Sequence, residues 1–526
     1  MSVPTSTGPL PGLRRRPPPR GWRPGLAPNP HTSGTALAGH HRQAVDPGST
    51  EVTPDGRARA PRVAERLDRL PPTRWLTGIM VLLFLSWFIE SYDVGLTGSV
   101  LPSLTYQFHL STSMKTLVSI SANIGIVAGI VPAGRLTDRY GRRRVLIAGT
   151  AAYAVLTFVT GLVPGIWGVI GLRMAAGLAM GAVFPIPYIY GSEISPPDRR
   201  GRLTGRADSL LSVGYLASPL LALALIPSVD DSTGWRVMFM LGGLPLLFSV
   251  LAWRYLPESP RWAEATGRWA EAEATLETME ERAERATGRP LPPLPSAGQP
   301  EQRSGRPGRL REIFRPPWLG RSAVLWATFG GTFFIFYAVQ TFMPTVLSKM
   351  GFTLTSAFAF TAVIVGLSIP GKLLESWVVE RWGRKPVIVG FTVVAAGASL
   401  GFGLVRGAAL VLVLGCLMSF FGIGVDPAVK AYTAESYPTV MRAWGTATTE
   451  GFGRLISGVA GPALIPLLLD NVGVGAVYAL VGVVALAAVV VTGRFGHETK
   501  GMNLEDISSG VVPAEAAAGR RAPVPA

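Results

Sequence analysis

Hydrophobic and polar positions in this chain are grouped in long blocks. From Trp75 onward, apolar stretches of roughly 20 residues recur between short polar breaks, long enough to cross a hydrocarbon core at about 1.5 Å per residue. Twelve such stretches predict twelve helices, over 75–100, 115–135, 145–163, 166–191, 204–227 and 236–256, then 321–347, 354–379, 386–405, 407–433, 444–469 and 472–495. They fall into two six-helix blocks, 75–256 and 321–495. Residues 257–320 form a polar central loop, with an amphipathic helix expected over Arg261 to Ala286, a Pro/Gly/Ser linker, and a short pre-membrane helix near Leu310, Ile313 and Phe314. Residues 1–74 are rich in Pro, Gly and Arg without apolar periodicity and read as a disordered basic tail; 496–526 form a second tail. The first tail is too long and too Pro-rich for a secretory signal, and no short apolar run with a small-residue cleavage site follows it.

Composition agrees with this pattern. With 48% apolar and 16% charged residues in 526, the chain is too hydrophobic for a soluble protein of its size. A formal charge of +16 suits nucleic acid, an anionic membrane surface or a topology signal, and its placement discriminates among them. Lys and Arg concentrate in alternate loops: Arg139 to Arg144, Arg199 to Arg206, Arg261 to Arg321, Arg381 to Lys385, Arg442, and the flanks Arg494 and Lys500. The opposite loops carry little beyond Lys115, Arg236, Lys349 and Arg406. The positive-inside rule then predicts a multi-pass protein of the cell (inner or plasma) membrane with both termini and the central loop cytoplasmic. In the tail, interleaved Pro, acids such as Asp46 and Glu51, and the lack of stacking aromatics besides Trp22 count against nucleic acid as a partner. The single Cys416 excludes disulfide frameworks and Cys-based metal sites, and all five His lie outside the apolar runs, so no metal or His relay is expected in the membrane.

The two blocks repeat each other. Asp138-Arg139-Tyr140-Gly141-Arg142-Arg143 aligns without gaps on Glu380-Arg381-Trp382-Gly383-Arg384-Lys385, a shift of about 242 positions. At the same shift Ser192-Glu193-Ile194-Ser195-Pro196, with Arg200, aligns on Ala434-Glu435-Ser436-Tyr437-Pro438, with Arg442. Ordinary positive-inside loops explain the Arg but not the shared Gly, Glu and Pro. Each motif places an acid, a bend-permitting residue and a basic cluster where a helix leaves the membrane, and such acids accept from Arg forks. Asp138, Arg139, Arg142, Glu193 and Arg200, with Glu380, Arg381, Arg384, Glu435 and Arg442, are therefore candidate gate residues, expected to latch the two bundles together on the cytoplasmic side. Rocking of two pseudo-symmetric halves is the geometry of alternating access.

Over Trp75 to Ile507 the chain resembles the major facilitator superfamily, whose most specific signature matches Gly134-Arg135-Leu136-Thr137-Asp138-Arg139-Tyr140-Gly141-Arg142-Arg143. Pro257-Glu258-Ser259-Pro260-Arg261-Trp262 and Glu498-Thr499-Lys500-Gly501 look like its sugar-porter branch, and Tyr432 to Pro462 is similar to metabolite:H⁺ symporters of the nicotinate-transporter type. The resemblance implies an all-α membrane protein of twelve helices in two pseudo-symmetric bundles. It also implies a secondary transporter driven by a proton gradient without a cofactor, whose partners are protons, a small molecule and the lipid bilayer. A monomer is expected.

Ionisable residues inside the bilayer cost about 2.5–3.5 kcal/mol on insertion scales, so those present are site candidates. Glu90 and Asp93 share one face of the first helix. Tyr92-Asp93 resembles the sugar-porter motif whose Asp couples protons, and the family's fourth-helix Arg, here Arg173, pairs with it. Asp93 is thus the expected proton acceptor and Arg173 its switch partner; a structural ion pair is the plain alternative, and more so for Glu90. Asp208 stands where sugar porters carry a sugar-binding Gln and nicotinate-type symporters an acid. Tyr215 replaces a second such Gln, and the seventh helix offers only Gln340 near Tyr337 and three Phe, which puts a hexose in doubt. The aromatic run either stacks an aromatic ligand or packs against lipid. Arg454 matches the resembled family and suits a carboxylate fork, with Glu450 four residues away able to neutralise it. Lys372/Glu375 and Asp426/Lys430 form two further same-face pairs, read as structural or gating. The expected function is H⁺ symport of a small organic metabolite, a carboxylate or aromatic acid. A sugar or polyol symporter, a proton-coupled exporter and a transporter-like sensor stay open, whereas no catalytic constellation supports an enzyme.

Overall fold

The structure, a computed structural model, describes residues 63–71, 73–194, 197–230, 233–294, 310–438 and 441–500. Each predicted apolar run becomes a helix long enough to cross a membrane. These are α1 (Arg74–Phe108), α2 (Thr112–Tyr140), α3 (Arg142–Thr160), α4 (Ile166–Val183), α5 (Pro197–Val229), α6 (Gly234–Tyr255), α7 (Trp318–Lys349), α8 (Leu354–Trp382), α9 (Arg384–Phe402), α10 (Ala408–Glu435), α11 (Trp444–Asn471) and α12 (Val474–Phe495). Of these, α1 and α7 are the most buried and α3 and α12 the least, so α1 and α7 run through the centre while α3 and α12 face outward.

Several ends differ from the apolar runs, because local chemistry rather than hydropathy sets them. Thr73 caps α1 by accepting from the Leu76 N–H, and the helix continues past residue 100 to a left-handed stop at His109 (φ 47°). The fourth run divides into α4 and a short helix, Ile186–Ile194. Gly141 (φ 99°) and Gly383 (φ 94°) separate α2 from α3 and α8 from α9 at equivalent points of the repeat. Both occupy backbone space that L side chains rarely enter.

Small residues let helices touch backbone to backbone, the packing open to helices that gain no hydrophobic drive against lipid. A Cβ at Gly177 or Gly181 would run into the Ala122 or Ile126 carbonyl of α2, and one at Gly371 of α8 into the Phe420 carbonyl of α10.

At the end of the bundle that carries the termini, the expected amphipathic helix is two pieces, Pro260–Ala265 and Trp269–Thr287, parted at Gly267 (φ 72°). The reading of 1–74 as a tail needs correction: Val63–Asp68 is helical and buries Val63 and Leu67, while residues 1–62 lie outside the described ones. Arg66 holds Glu273 at 2.6 Å and Glu280 at 2.8 Å, and Arg69 reaches Glu280 at 2.6 Å, fastening this helix to Trp269–Thr287. Burial alone would push the Glu280 carboxyl up, but the hydrogen bonds from Arg66 and Arg69 outweigh it and hold it below the usual carboxylate range.

Candidate functional site

The central polar groups lie where α1, α2, α4, α5, α7 and α11 meet. Asp93 of α1 is buried, and Arg173 of α4 forks onto it, with Nη1 at 3.0 Å from both carboxylate oxygens. Thr157 Oγ1 donates to Asp93 Oδ1 at 3.1 Å, and Arg173 Nη2 donates to Thr97 Oγ1 at 3.2 Å. The expected pair is therefore formed, with hydroxyls on both members, and it borders a narrow cavity reached by Asn123 of α2 and Thr341 of α7. One turn earlier, Glu90 is 0% exposed, and no protein group among the described residues donates to either of its carboxylate oxygens.

A second polar centre spans the two halves. Arg454 of α11 is buried and lies over the Phe184 ring at 4.3 Å. Its Nη1 donates to Tyr337 Oη at 3.3 Å, and that hydroxyl donates to Asn123 Oδ1 at 2.8 Å. Among the described residues, Nε of the same guanidinium has no acceptor. A six-residue π turn, Leu455–Ala460, follows Arg454 and brings Gly458 against the Tyr337 ring. Such widened turns re-aim side chains and are frequent at functional sites. Glu450, partly buried one turn before Arg454, acts on it electrostatically. Gln340 Nε2 donates to the Tyr215 carbonyl at 3.2 Å, and the Tyr215 ring meets Phe336 edge-on at 4.9 Å, so both residues bridge α5 and α7. Asp208 is helical in α5, and its side chain, like that of Arg200, lies outside the described residues. Lys372 and Lys430 both donate to Asp426 Oδ2, at 3.1 and 2.9 Å, joining the two same-face pairs into one cluster between α8 and α10.

The expected gate residues do gather at the terminus-bearing end. Among the described residues their ion pairs lie within each half, not between halves as expected. In the first half Arg142 holds Glu193 at 3.3 Å and the mostly exposed Asp138 at 3.1 Å. In the second, Arg384 holds Glu435 at 3.0 Å and the mostly exposed Glu380 at 3.7 Å. Arg139 and Arg381 lie over the Tyr140 and Trp377 rings, and Arg442 opens the helical segment that leads into α11. The physical reason is local: each loop is short, so its Arg reaches the neighbouring helix of its own bundle.

Four residues that the motif reading left without a role complete these latches. Ser259 Oγ donates to Glu193 at 2.5 Å, and Glu258 accepts from the Arg143 N–H at 3.0 Å. In the repeat, Thr499 Oγ1 donates to Glu435 at 2.6 Å, and Glu498 accepts from the Arg384 and Lys385 N–H groups at 3.0 and 3.1 Å. Glycine is required at 141 and 383 for a second reason, since a Cβ there would strike the Glu258 or Glu498 carboxyl.

Among the described residues, the ion pair that does join the halves, Lys115–Asp470, is at the opposite end. Asp470 at the close of α11 accepts from Thr112 and Lys115 of α2, each at 2.7 Å, and pairs with Lys349 of α7 at 3.1 Å.

Two six-helix halves, a polar centre shared between them and duplicated latches are the anatomy of an alternating-access transporter. A family model described as sugar (and other) transporter matches residues 79–510. The chain belongs to that family. This transporter is 28% identical to the niacin transporter NiaP of Acinetobacter baylyi over 446 residues, 85% of this chain and 99% of the relative. It is 27% identical to the 4-hydroxybenzoate transporter PcaK of Pseudomonas aeruginosa, over 82% of this chain and 95% of that protein. Among solved structures, a D-xylose-proton symporter superposes with a TM-score of 0.64 at 20% identity, covering 82% of this chain and all of the other, which shows a shared fold. The protein is thus a multi-pass membrane transporter of the major facilitator type and not an enzyme.

Proposed function

We propose that this transporter imports a small aromatic or heteroaromatic carboxylate by proton symport across the cell membrane. The observation that carries the reading is Arg454: a buried guanidinium whose Nε has no acceptor among the described residues, set over the Phe184 ring and donating to the Tyr337 hydroxyl. A fork of donors beside aromatic faces fits a carboxylate attached to a flat ring. Niacin and 4-hydroxybenzoate, after which two of the relatives are named, are such molecules. Asp208 and Glu450 remain proposed lining groups, with Tyr215 and Gln340 setting the wall between α5 and α7.

For the drive, the Asp93–Arg173 fork supports a proton switch in which protonation of Asp93 releases Arg173. No cofactor is required, because substrate and proton each favour the same conformer, and only a differential affinity for two conformers performs work. The positive-inside pattern supports a cytoplasmic placement of the termini, the central loop and the paired latches. One chain supplies both halves of the centre, consistent with action as a monomer. Uptake of labelled nicotinate into proteoliposomes under an imposed pH gradient tests the reading. The expected result is accumulation that Arg454→Ala abolishes by loss of affinity and Asp93→Asn by loss of coupling. Accumulation unaffected by dissipating the gradient would refute symport.

A further inference from the structure

Glu90 and Asp93 are three residues apart on α1, yet their surroundings are opposite. Asp93 is compensated by Arg173 and receives Thr157 as a third hydrogen bond. Glu90 is fully buried, and among the described residues no donor reaches either oxygen. Among the described residues, the charged and titratable groups that act on it are Arg454 and Glu450 of α11, Asp93 of its own helix, and Tyr153 of α3. Two of these are acids, and the donated hydrogen bond of Arg454 goes to Tyr337. A carboxylate stripped of both water and donors costs several kcal/mol, a cost that a bound proton removes.

Resting on the reading of Arg454 as the docking point of a substrate carboxylate, we propose that Glu90, rather than Asp93, holds the exchangeable proton in this conformer, and that ionised Glu90 competes with the substrate for Arg454. When a carboxylate occupies Arg454, the charge that would favour ionised Glu90 is spent, so the proton stays. When the substrate leaves, Arg454 becomes the counter-ion of Glu90, whose proton passes to water on the side to which the site is open. Substrate and proton then bind together by thermodynamic reciprocity, since each strengthens the other. Asp93–Arg173 stays in this conformer a compensated pair that keeps a second charge from α1 off Arg454, and its release by protonation of Asp93 belongs to the change of conformer.

Infrared difference spectroscopy of the full chain in lipid nanodiscs, titrated with pH, tests the assignment without needing a substrate. The C=O stretch of a carboxylic acid that is still protonated near neutral pH is expected in the wild type and in Asp93→Asn, and is expected to be absent from Glu90→Gln. Persistence in Glu90→Gln, or loss in Asp93→Asn, overturns it. If Glu90→Gln does not fold, Glu90→Asp keeps an acid, and displacement of the same band gives the assignment; an undisplaced band overturns it. Nicotinate binding between about pH 6 and 8 reads the coupling. Wild-type affinity should fall about tenfold per pH unit once Glu90 ionises, and Glu90→Gln should bind without that slope. A slope retained in Glu90→Gln refutes the competition. If nicotinate fails to bind the wild type at all, the carboxylate reading fails, and the infrared band still decides where the proton sits.

Discussion

Asp470 is the residue whose removal should most directly move the balance between conformers. It gathers Thr112 and Lys115 from the first half and Lys349 from the second at the end away from the termini. The Lys115 and Asp470 side chains are 13% and 15% exposed, while that of Lys349 is 50% exposed. The Lys115 pair therefore falls between exposed pairs, worth about 0.2–1 kcal/mol, and buried ones, which cost about 3–5 kcal/mol to break. A value of about 2 kcal/mol for the bond between halves corresponds to a roughly 25-fold change in the conformer ratio. Asp470→Asn keeps the shape and an acceptor for Thr112 while removing the charge, so it isolates this contribution. The chain has one cysteine, Cys416, and a Cys416→Ser background allows a reporter at Thr341→Cys, which lines the central cavity. The rate at which an impermeant thiol reagent labels that reporter from outside should rise roughly 25-fold in Asp470→Asn. Lys115→Met should approach the same effect and Lys349→Met should fall well short, because Lys349 lies in the same half as Asp470 and its side chain is 50% exposed. Equal labelling in Asp470→Asn and the parent, with folding intact, would refute the reading of Asp470 as the outer clamp.

Gly177→Ala places a Cβ against the Ala122 carbonyl and should lower stability by about 1–3 kcal/mol, read as a fall in Tm in detergent, whereas Gly171→Ala, which meets nothing within 4 Å, should be close to neutral. Thr499→Ala leaves Glu435 without its 2.6 Å donor and should loosen the second-half latch by about 1 kcal/mol, seen as faster amide exchange in the Lys385 turn. The clasp of Arg66 and Arg69 on Glu280 has a definite pH sign: the Glu280 carboxyl is held below its ordinary range in the fold, so the contribution is present above that range and lost as pH falls through it. Protection of the Val63–Asp68 amides should therefore weaken on acidification, and Glu280→Gln should remove that dependence.

How much of this was legible in the sequence follows from what each contact requires. The latches were partly legible because they are local and built twice: Arg142 with Glu193 and Arg384 with Glu435 are each 51 residues apart. Their completion by Ser259 and Thr499 was hidden behind the motifs that carry them. Asp93–Arg173 was reached only through a family resemblance, since nothing in either helix alone says which face meets which. Contacts between the halves left no pattern at all. Lys115 and Asp470 lie 355 residues apart, and Asn123 is an unremarked polar residue until the Tyr337 hydroxyl is found donating to it.

Departures from the repeat are more informative about cargo than the repeat itself. At the shift that matches the latches, Pro102 inside α1 meets Pro344 inside α7, so the central helices keep register. In that register Glu90 and Asp93 align on Thr332 and Ile335, Arg173 on Gly415, and Arg454 on Ser212. Phe184, the ring beneath Arg454, is matched by Asp426, the acceptor of two lysines. Duplicated residues thus hold the two bundles in shape, a task that is the same in both, while Glu90, Asp93, Arg173 and Arg454 have no charged counterpart; Glu450 alone of the named central charges aligns on another, Asp208. The proposed site for one anion and one proton suits such asymmetry, because a two-fold copy of Arg454 or Glu90 would double the charge in a cavity with little water to screen it. The positions at which the halves disagree are therefore where substitutions should change the substrate or the coupling while leaving the fold intact.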